Sequence, residues 1–363
     1  MIRRSPLLTA LSVRGLKALL ALGTTAALLA TAGCSGSSSG SAGATEGPGN
    51  SFDKVTYLTA FGAAGRDAFA WIAQEKGYFK DQHLDVRIQL GKATGENLKA
   101  LASGQAQFAA LDLTGAMISA DPAKPGVVAP NRDFRAILAI HQQTLVSVMA
   151  IEGSGISTPK DLTGKKIAAA ANSVNQMLFP GYAKLAGINT AGISWAAVQP
   201  AQLGPVLASG KVDALSTFLI GRPTIEKATQ QAKQRGVVVF PYSQYLPDLY
   251  GNAVVTTTAM TEGKTDLVRR FREAIRQALI YTVAHPEEAG TLLHQKQPAT
   301  LAASATAEIK LMTPSVNAQG ADRVGQISQD RMTKAIASLR TAGVIGSDLT
   351  PQDVVDFDVM PAG

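Results

Sequence analysis

The sequence is poor in the residues that most often carry out chemistry. Of 363 residues one is cysteine, four are histidine and 6% are aromatic. The single cysteine, Cys34, excludes a disulfide within the chain and any cysteine-built metal centre. None of His83, His141, His285 and His294 shows metal-ligand spacing. No Gly-x-Ser-x-Gly elbow stands at a strand-to-helix turn. The stretch "FGAAGRDAF" from Phe61 lacks the lysine and the spacing of a Walker loop, and "EGKT" at Glu262–Thr265 has Thr258 where that loop needs its first glycine. A dinucleotide-binding Gly-x-Gly-x-x-Gly pattern is missing as well. These lacks argue against an enzyme and against bound ATP or NAD, and they predict no cofactor and no metal.

Charge of one sign is also scarcer than it first looks. The formal net charge is +7, but Arg3, Arg4, Arg14 and Lys17 all fall in the acid-free first 33 residues, so the remainder carries 7 − 4 = +3. So small and dispersed a charge is no nucleic-acid footprint, and neither DNA nor RNA is expected as a partner.

What the sequence does contain begins with an export signal over residues 1–33. A basic start leads into "ALLALGTTAALLATAG", too short and too interrupted for a membrane span. Cys34 follows at once, and "LLATAGC" resembles a bacterial lipoprotein signal, in which the cysteine is lipidated and becomes the new N-terminus. Thr31 departs from that pattern, where leucine is usual. The alternative is ordinary cleavage after Ala30-Thr31-Ala32, leaving a free thiol. Residues 34–51 are then a flexible, lipid-anchored linker. The seventeen residues Ser35–Ser51 have almost nothing to bury and reach on the order of 20–25 Å. These features place the protein on the outer face of the cytoplasmic membrane, held there by lipid.

From Lys54 the chain alternates β-like and helical runs. "VTYLTA" (55–60), "LDVRIQL" (84–90) and "QFAAL" (107–111) predict strands; a helix from Arg66 to about Gly77 and another over "GENLKALASG" separate them. "FRAILAI" and "TLVSVMAI" follow. The rhythm then restarts with strands "KKIAAAA" (165–171), "ISWAAV" and "VDALSTF", and helices that Pro180 and Gly204-Pro205 should break. "LASGQAQFAALD" from Leu101 and "LASGKVDALSTF" from Leu207 hold the same place in the two rounds, which predicts two lobes. After "GVVVF" and "NAVVTTT" the chain is nearly all helical, and these helices are expected to pack back on the first lobe. The chain must then cross between lobes twice, near 141–153 and 241–252. The expected division is 52–145 with 250–363 for lobe 1, and 146–249 for lobe 2. Two crossings make a hinge beside a cleft, faced by the strand ends at 60–67, 111–115, 171–176 and 216–222.

The candidate ligand-binding residues lie in those loops. Gly62 and Gly65 permit close backbone approach, Arg66 offers a fork for an acidic group and Asp67 a partner for an amine. Their bland roles are a surface charge and a helix cap. Phe61 is a candidate aromatic contact. Asn172, Ser173 and Asn175 form the matching polar loop of the second lobe, with capping as the alternative for Asn172 or Ser173. Asp112 with Thr114, and Thr217 with Phe218, end the third strands. Gln142 and Tyr250 sit at the crossings, where a hinge needs linkers in any case. Arg66 and the helix starts tilt the expected ligand toward an anion or zwitterion.

The residues resemble the substrate-binding proteins of ABC importers for nitrate, sulfonates, taurine and thiamine-pyrimidine precursors. The likeness runs from Val55 to Met360 through "AFAWIAQEKGYFKDQHLDVRI", "LASGQAQFAALD", "ISTPKDLTGKKIAAA", "LASGKVDAL" and "FREAIRQALIYTVAHPEEA". It implies an α/β, two-lobed periplasmic-binding-protein-like fold of type II, each lobe an open sheet flanked by helices, with a helical C-terminal segment. It also implies a receptor that captures a small polar organic molecule (sulfonate, amino-acid-like or pyrimidine-like) and delivers it to ABC permease subunits; the receptor is expected to be a monomer. The resemblance places contacts in the loops 61–67, 111–114, 171–176 and 217–218. A tethered sensor for a signalling partner is the competing reading. An enzymatic relative that makes the thiamine pyrimidine carries a cysteine-rich iron motif and works inside the cell, and neither fits this chain.

Overall fold

The computed structural model describes residues 51–121, 131–170, 173–346 and 348–360. The expected signal, nearly all of the linker with Cys34, and Asn172 lie outside them. Among the described residues are ten strands: β1 Asp53–Leu58, β2 Leu84–Gln89, β3 Phe108–Asp112, β4 Arg135–Ala139, β5 Val146–Ile151, β6 Lys166–Ala169, β7 Ser194–Ala197, β8 Ala214–Phe218, β9 Val237–Pro241 and β10 Asn252–Thr256. They form two sheets of five, ordered β2-β1-β3-β10-β4 and β7-β6-β8-β5-β9. In each sheet one strand runs against the rest: β10 is antiparallel to β3 and β4, and β5 to β8 and β9. Each of these two is the first strand laid down after the chain has crossed from the other sheet.

The two rounds seen in the sequence occupy equivalent places. The helix Thr94–Ala102 leads into β3, and the helix Leu203–Ala208 into β8. Each helix ends on the glycine of its Leu-Ala-Ser-Gly, Gly104 at φ 73° and Gly210 at φ 72°, a left-handed turn that a side chain would strain. The expected break at Pro180 is present as two short helices, Val174–Met177 and Phe179–Ala186, the second with Pro180 in its first turn.

β3 is buried along its whole length, as expected of an inner strand covered on both faces. The 20-residue helix Thr265–Ala284 covers one face. It buries Leu267, Val268, Phe271, Ala274, Ile275, Ala278 and Leu279 at helical spacing. Phe271 stacks on Phe108 of β3 at 3.8 Å between ring centres, and Phe79 stacks on its other side at 5.7 Å.

The C-terminal helices do more than pack on the first lobe. The helix Gln329–Thr341 and its sequel also touch the second: Lys184 donates to Thr341 O at 2.8 Å, and Gly181 lies so close to Ala342 and Val344 that a Cβ there would meet them at 2.8 and 2.7 Å. Val355 and Asp356 return to bridge Ala136 of β4.

Candidate functional site

The two crossings lie side by side. Gly251 N–H donates to His141 O (3.1 Å) and Thr144 N–H to Leu249 O (2.9 Å). Gly251 can be nothing larger, since a Cβ would stand 2.9 Å from both Gln143 O and His141 Cβ. β4 ends and β5 begins at this ribbon. The parallel strands of each sheet therefore end toward it.

At the first sheet's edge the strand ends bring together a row of polar side chains. Asp67 reaches back from the 3-10 turn Gly65–Asp67 to accept Ala60 N–H just past β1 (2.8 Å). It makes no cap bond to its own helix. Asn97 ties Thr59 O to Ala110 O at 2.9 Å each, holding the ends of β1 and β3 together. Asp112 ends β3 and caps the next helix by accepting Gly115 N–H (2.8 Å). Asn252 of β10 pairs with Asp112, and its N–H donates to His141 Nδ1 at 3.3 Å, which leaves the imidazole proton on Nε2. Adjacent strands are spaced about 4.8 Å, so Asp67, bonded just past β1, stands one strand from Asp112 of β3, and His141, which follows β4, stands two strands from Asp112 with β10 between.

These groups are buried with atoms left unpaired. Asp67, Asp112, Thr114 and His141 are 1%, 5%, 0% and 2% exposed. Asp67 Oδ2, Asp112 Oδ2, Thr114 Oγ1 and His141 Nε2 have no hydrogen-bond partner; nor do Arg66 Nε, and Ser173 Oγ and Asn175 Oδ1 of the second lobe. Leaving such a group unsatisfied costs about 1–3 kcal/mol, so each is a place for water or a ligand to bind. Burial raises the Asp67 carboxyl to about 6, opposed by the nearby Arg66, and raises Asp112 to about 6. Burial, helped by Arg66, pushes the His141 imidazole down to about 3, so it is neutral.

The structure answers the charge of Arg66 from within. Its Nε lies 3.5 Å from Asp67 Oδ2, and its Nη2 donates to Phe61 O at 3.4 Å. The start of the helix that follows is also taken, because Glu308 Oε2 accepts Gly65 N–H at 2.7 Å. Gly65 admits this by having no side chain; a Cβ would sit 2.3 Å from Ala305 O. The expected tilt toward an anion or zwitterion rests on Arg66 and this helix start, and both have partners within the chain, Asp67 and Glu308.

The remaining sequence candidates fall into three places. Ser173 and Asn175 sit before and within the short helix after β6, and Asn175 O accepts Ser216 Oγ at 3.0 Å, so they adjoin β8. Thr217 and Phe218 end β8; Phe218 packs against the hydrophobic clusters of both lobes, and Ile220 just beyond is buried among first-lobe residues. Gln142 and Tyr250 are held by Arg331, which donates to Gln142 Oε1 (3.1 Å), Gln142 O and Pro247 O (3.2 Å). Phe61 is 47% exposed at the rim. Sequence reasoning missed His141 as a site residue, weighing it only as a metal ligand although it adjoins Gln142. It also missed Glu308, 243 positions from Gly65, for which no local signal exists. No cluster of three metal-ligating side chains occurs among the described residues.

Two open sheets of like order, joined by paired crossings, define a two-lobed periplasmic-binding-protein-like fold. The chain belongs to the NMT1/THI5 like family, whose model matches residues 67–289. Among solved structures it is similar to the periplasmic aliphatic sulphonate binding protein of Escherichia coli, at 15% identity over 84% of this chain and 98% of that one, with a TM-score of 0.64. It is similar to the ligand binding component of an ABC-type import system from Staphylococcus aureus with zinc bound (13%, 85% and 97%, TM-score 0.62). It is also similar to the periplasmic nitrate-binding protein of Synechocystis PCC 6803 (12%, 85% and 87%, TM-score 0.61). A search of curated proteins found no match.

Proposed function

We propose that the protein is an extracytoplasmic solute-binding lipoprotein. It captures a small polar organic molecule between lobe 1 (52–145 with 250–363) and lobe 2 (146–249) and delivers it to the permease of an ABC importer. Cys34 carries the lipid, residues 34–51 are the tether, and the binding body is a monomer without catalytic role. The observation that carries this reading is the set of buried, unpaired polar atoms at the strand ends on both sides of the crossings. The sulphonate, nitrate and import-system proteins of like fold support it.

In this reading Asp67, Asp112, Thr114 and His141 grip the ligand from the first lobe, and Ser173, Asn175 and Thr217 complete the grip from the second. Ligand shifts the lobes toward the closed form by its differential affinity for that form. The test is a thermal-shift screen of metabolites on the soluble body, with small-angle scattering on each hit. A ligand should raise the melting temperature and reduce the radius of gyration. Flat melting and scattering across a broad panel would remove the proposal.

A further inference from the structure

We infer that the ligand presents a protonated amine or amidine to Asp67 and Asp112, and that simple oxyanions are rejected. This deepens the solute-binding reading and rests on it. The two carboxylates hang from adjacent strand ends, each with one oxygen committed inside the protein: Asp67 Oδ1 to Ala60 N–H and Asp112 Oδ1 to Gly115 N–H. The other oxygen of each has no hydrogen-bond donor although both side chains are almost wholly buried. A buried carboxylate oxygen accepts and cannot donate while ionised, so what it lacks is an N–H or O–H. Charge selects between them. Asp67 and the half-buried Glu308 share a single cation, Arg66, already drawn to Asp67 at 3.5 Å, while Asp112 has only backbone amides beside its carboxyl. His141 adds no positive charge, because Nδ1 accepts the Asn252 N–H and burial keeps the ring neutral.

An incoming cation relieves this excess, whereas nitrate or a sulfonate adds to it in a place shielded from water. The backbone amide that an oxyanion would use, Gly65 N–H, already bonds Glu308. The donor left over is His141 Nε2–H. It suits a neutral acceptor, such as a carbonyl or ring nitrogen, on the same molecule. The preference therefore differs from that named for the sulphonate- and nitrate-binding proteins of like fold.

The experiment is isothermal titration of wild type, Asp112→Asn and Asp67→Asn with two probe sets, run at pH 7.5 and pH 5. One set is glycinamide, putrescine and agmatine; the other is sodium nitrate and sodium ethanesulfonate. At least one amine should bind at pH 7.5, weaken at pH 5, and lose about ten- to hundred-fold in affinity in Asp112→Asn, the range for a charged hydrogen bond. The anions should release no heat. Anion binding that Asp112→Asn leaves unchanged overturns the inference and keeps the solute-binding reading. Silence in both sets also overturns it. If a whole-cell metabolite extract then compacts the protein in scattering, solute binding stands without the amine; silence there too removes both. Melting of each variant guards against misfolding, and asparagine retains the Oδ1 that accepts the Ala60 or Gly115 N–H.

Discussion

The guanidinium carbon of Arg331 lies over the ring of Tyr250, 4.2 Å from its centre. The same group donates to Gln142 and to Pro247 O, while Gln142 N–H donates to Ser315 O at 2.7 Å. One side chain from the C-terminal helix Gln329–Thr341 thus clamps both interlobe crossings. Arg331→Ala should cost about 2–4 kcal/mol of stability and enlarge the unliganded protein in small-angle scattering. Arg331→Lys should rescue little, because a lysine cannot span both crossings with a planar fork. Chemical denaturation and scattering of the two variants check this.

Asp112 makes stability fall as pH rises. Its carboxyl is raised from 3.8 to about 6 in the folded chain, so its contribution is complete below about pH 4 and lost by about pH 6. The loss is about 3 kcal/mol. His141 works in the opposite sense: held down at about 3, it contributes stability above pH 6.5 that is lost on acidification. Asp112→Asn isolates the first effect. The variant should melt several degrees above wild type at pH 7.5 and alongside it at pH 4.5, both without ligand.

Gly65→Ala should destabilise by about 1–3 kcal/mol. The new methyl would meet Ala305 O at 2.3 Å and Glu308 Cβ at 2.8 Å, so the helix Ala302–Val316 must shift and Glu308 must release Gly65 N–H. Gly77→Ala makes a useful contrast. Nothing lies within 4 Å of its Cβ, and only the left-handed φ of 81° resists the change. Urea melts should rank Gly65→Ala as the costlier.

Arg272 is 5% exposed on the helix Thr265–Ala284, with Nε and Nη2 unpaired. Burial lowers its guanidinium to about 10. Arg272→Met should stabilise the protein by about 1–3 kcal/mol, measured by thermal or urea unfolding. A loss of stability instead would mean that the guanidinium is satisfied by water.

The alternation of apolar runs with helix-forming runs made both sheets legible, since every strand has a short apolar core bounded by glycine or polar turns. The position of Asp112 was legible for the same reason: an acid that closes a buried strand stands at a sheet edge. The pairing of Arg66 was not. It depends on Asp67 folding back to Ala60, and the neighbouring helix start depends on Glu308, which only tertiary packing brings near. His141 was hidden because its tautomer is set by Asn252, a residue of the other crossing.

The order β2-β1-β3-β10-β4 leaves a vacancy between β3 and β4 until residues 252–256 have been made, well after the whole second sheet. A nascent chain paused before that point holds an unfinished first half with two exposed strand edges and cannot settle. Late completion of this kind would tie the maturation of each half to the arrival of the other.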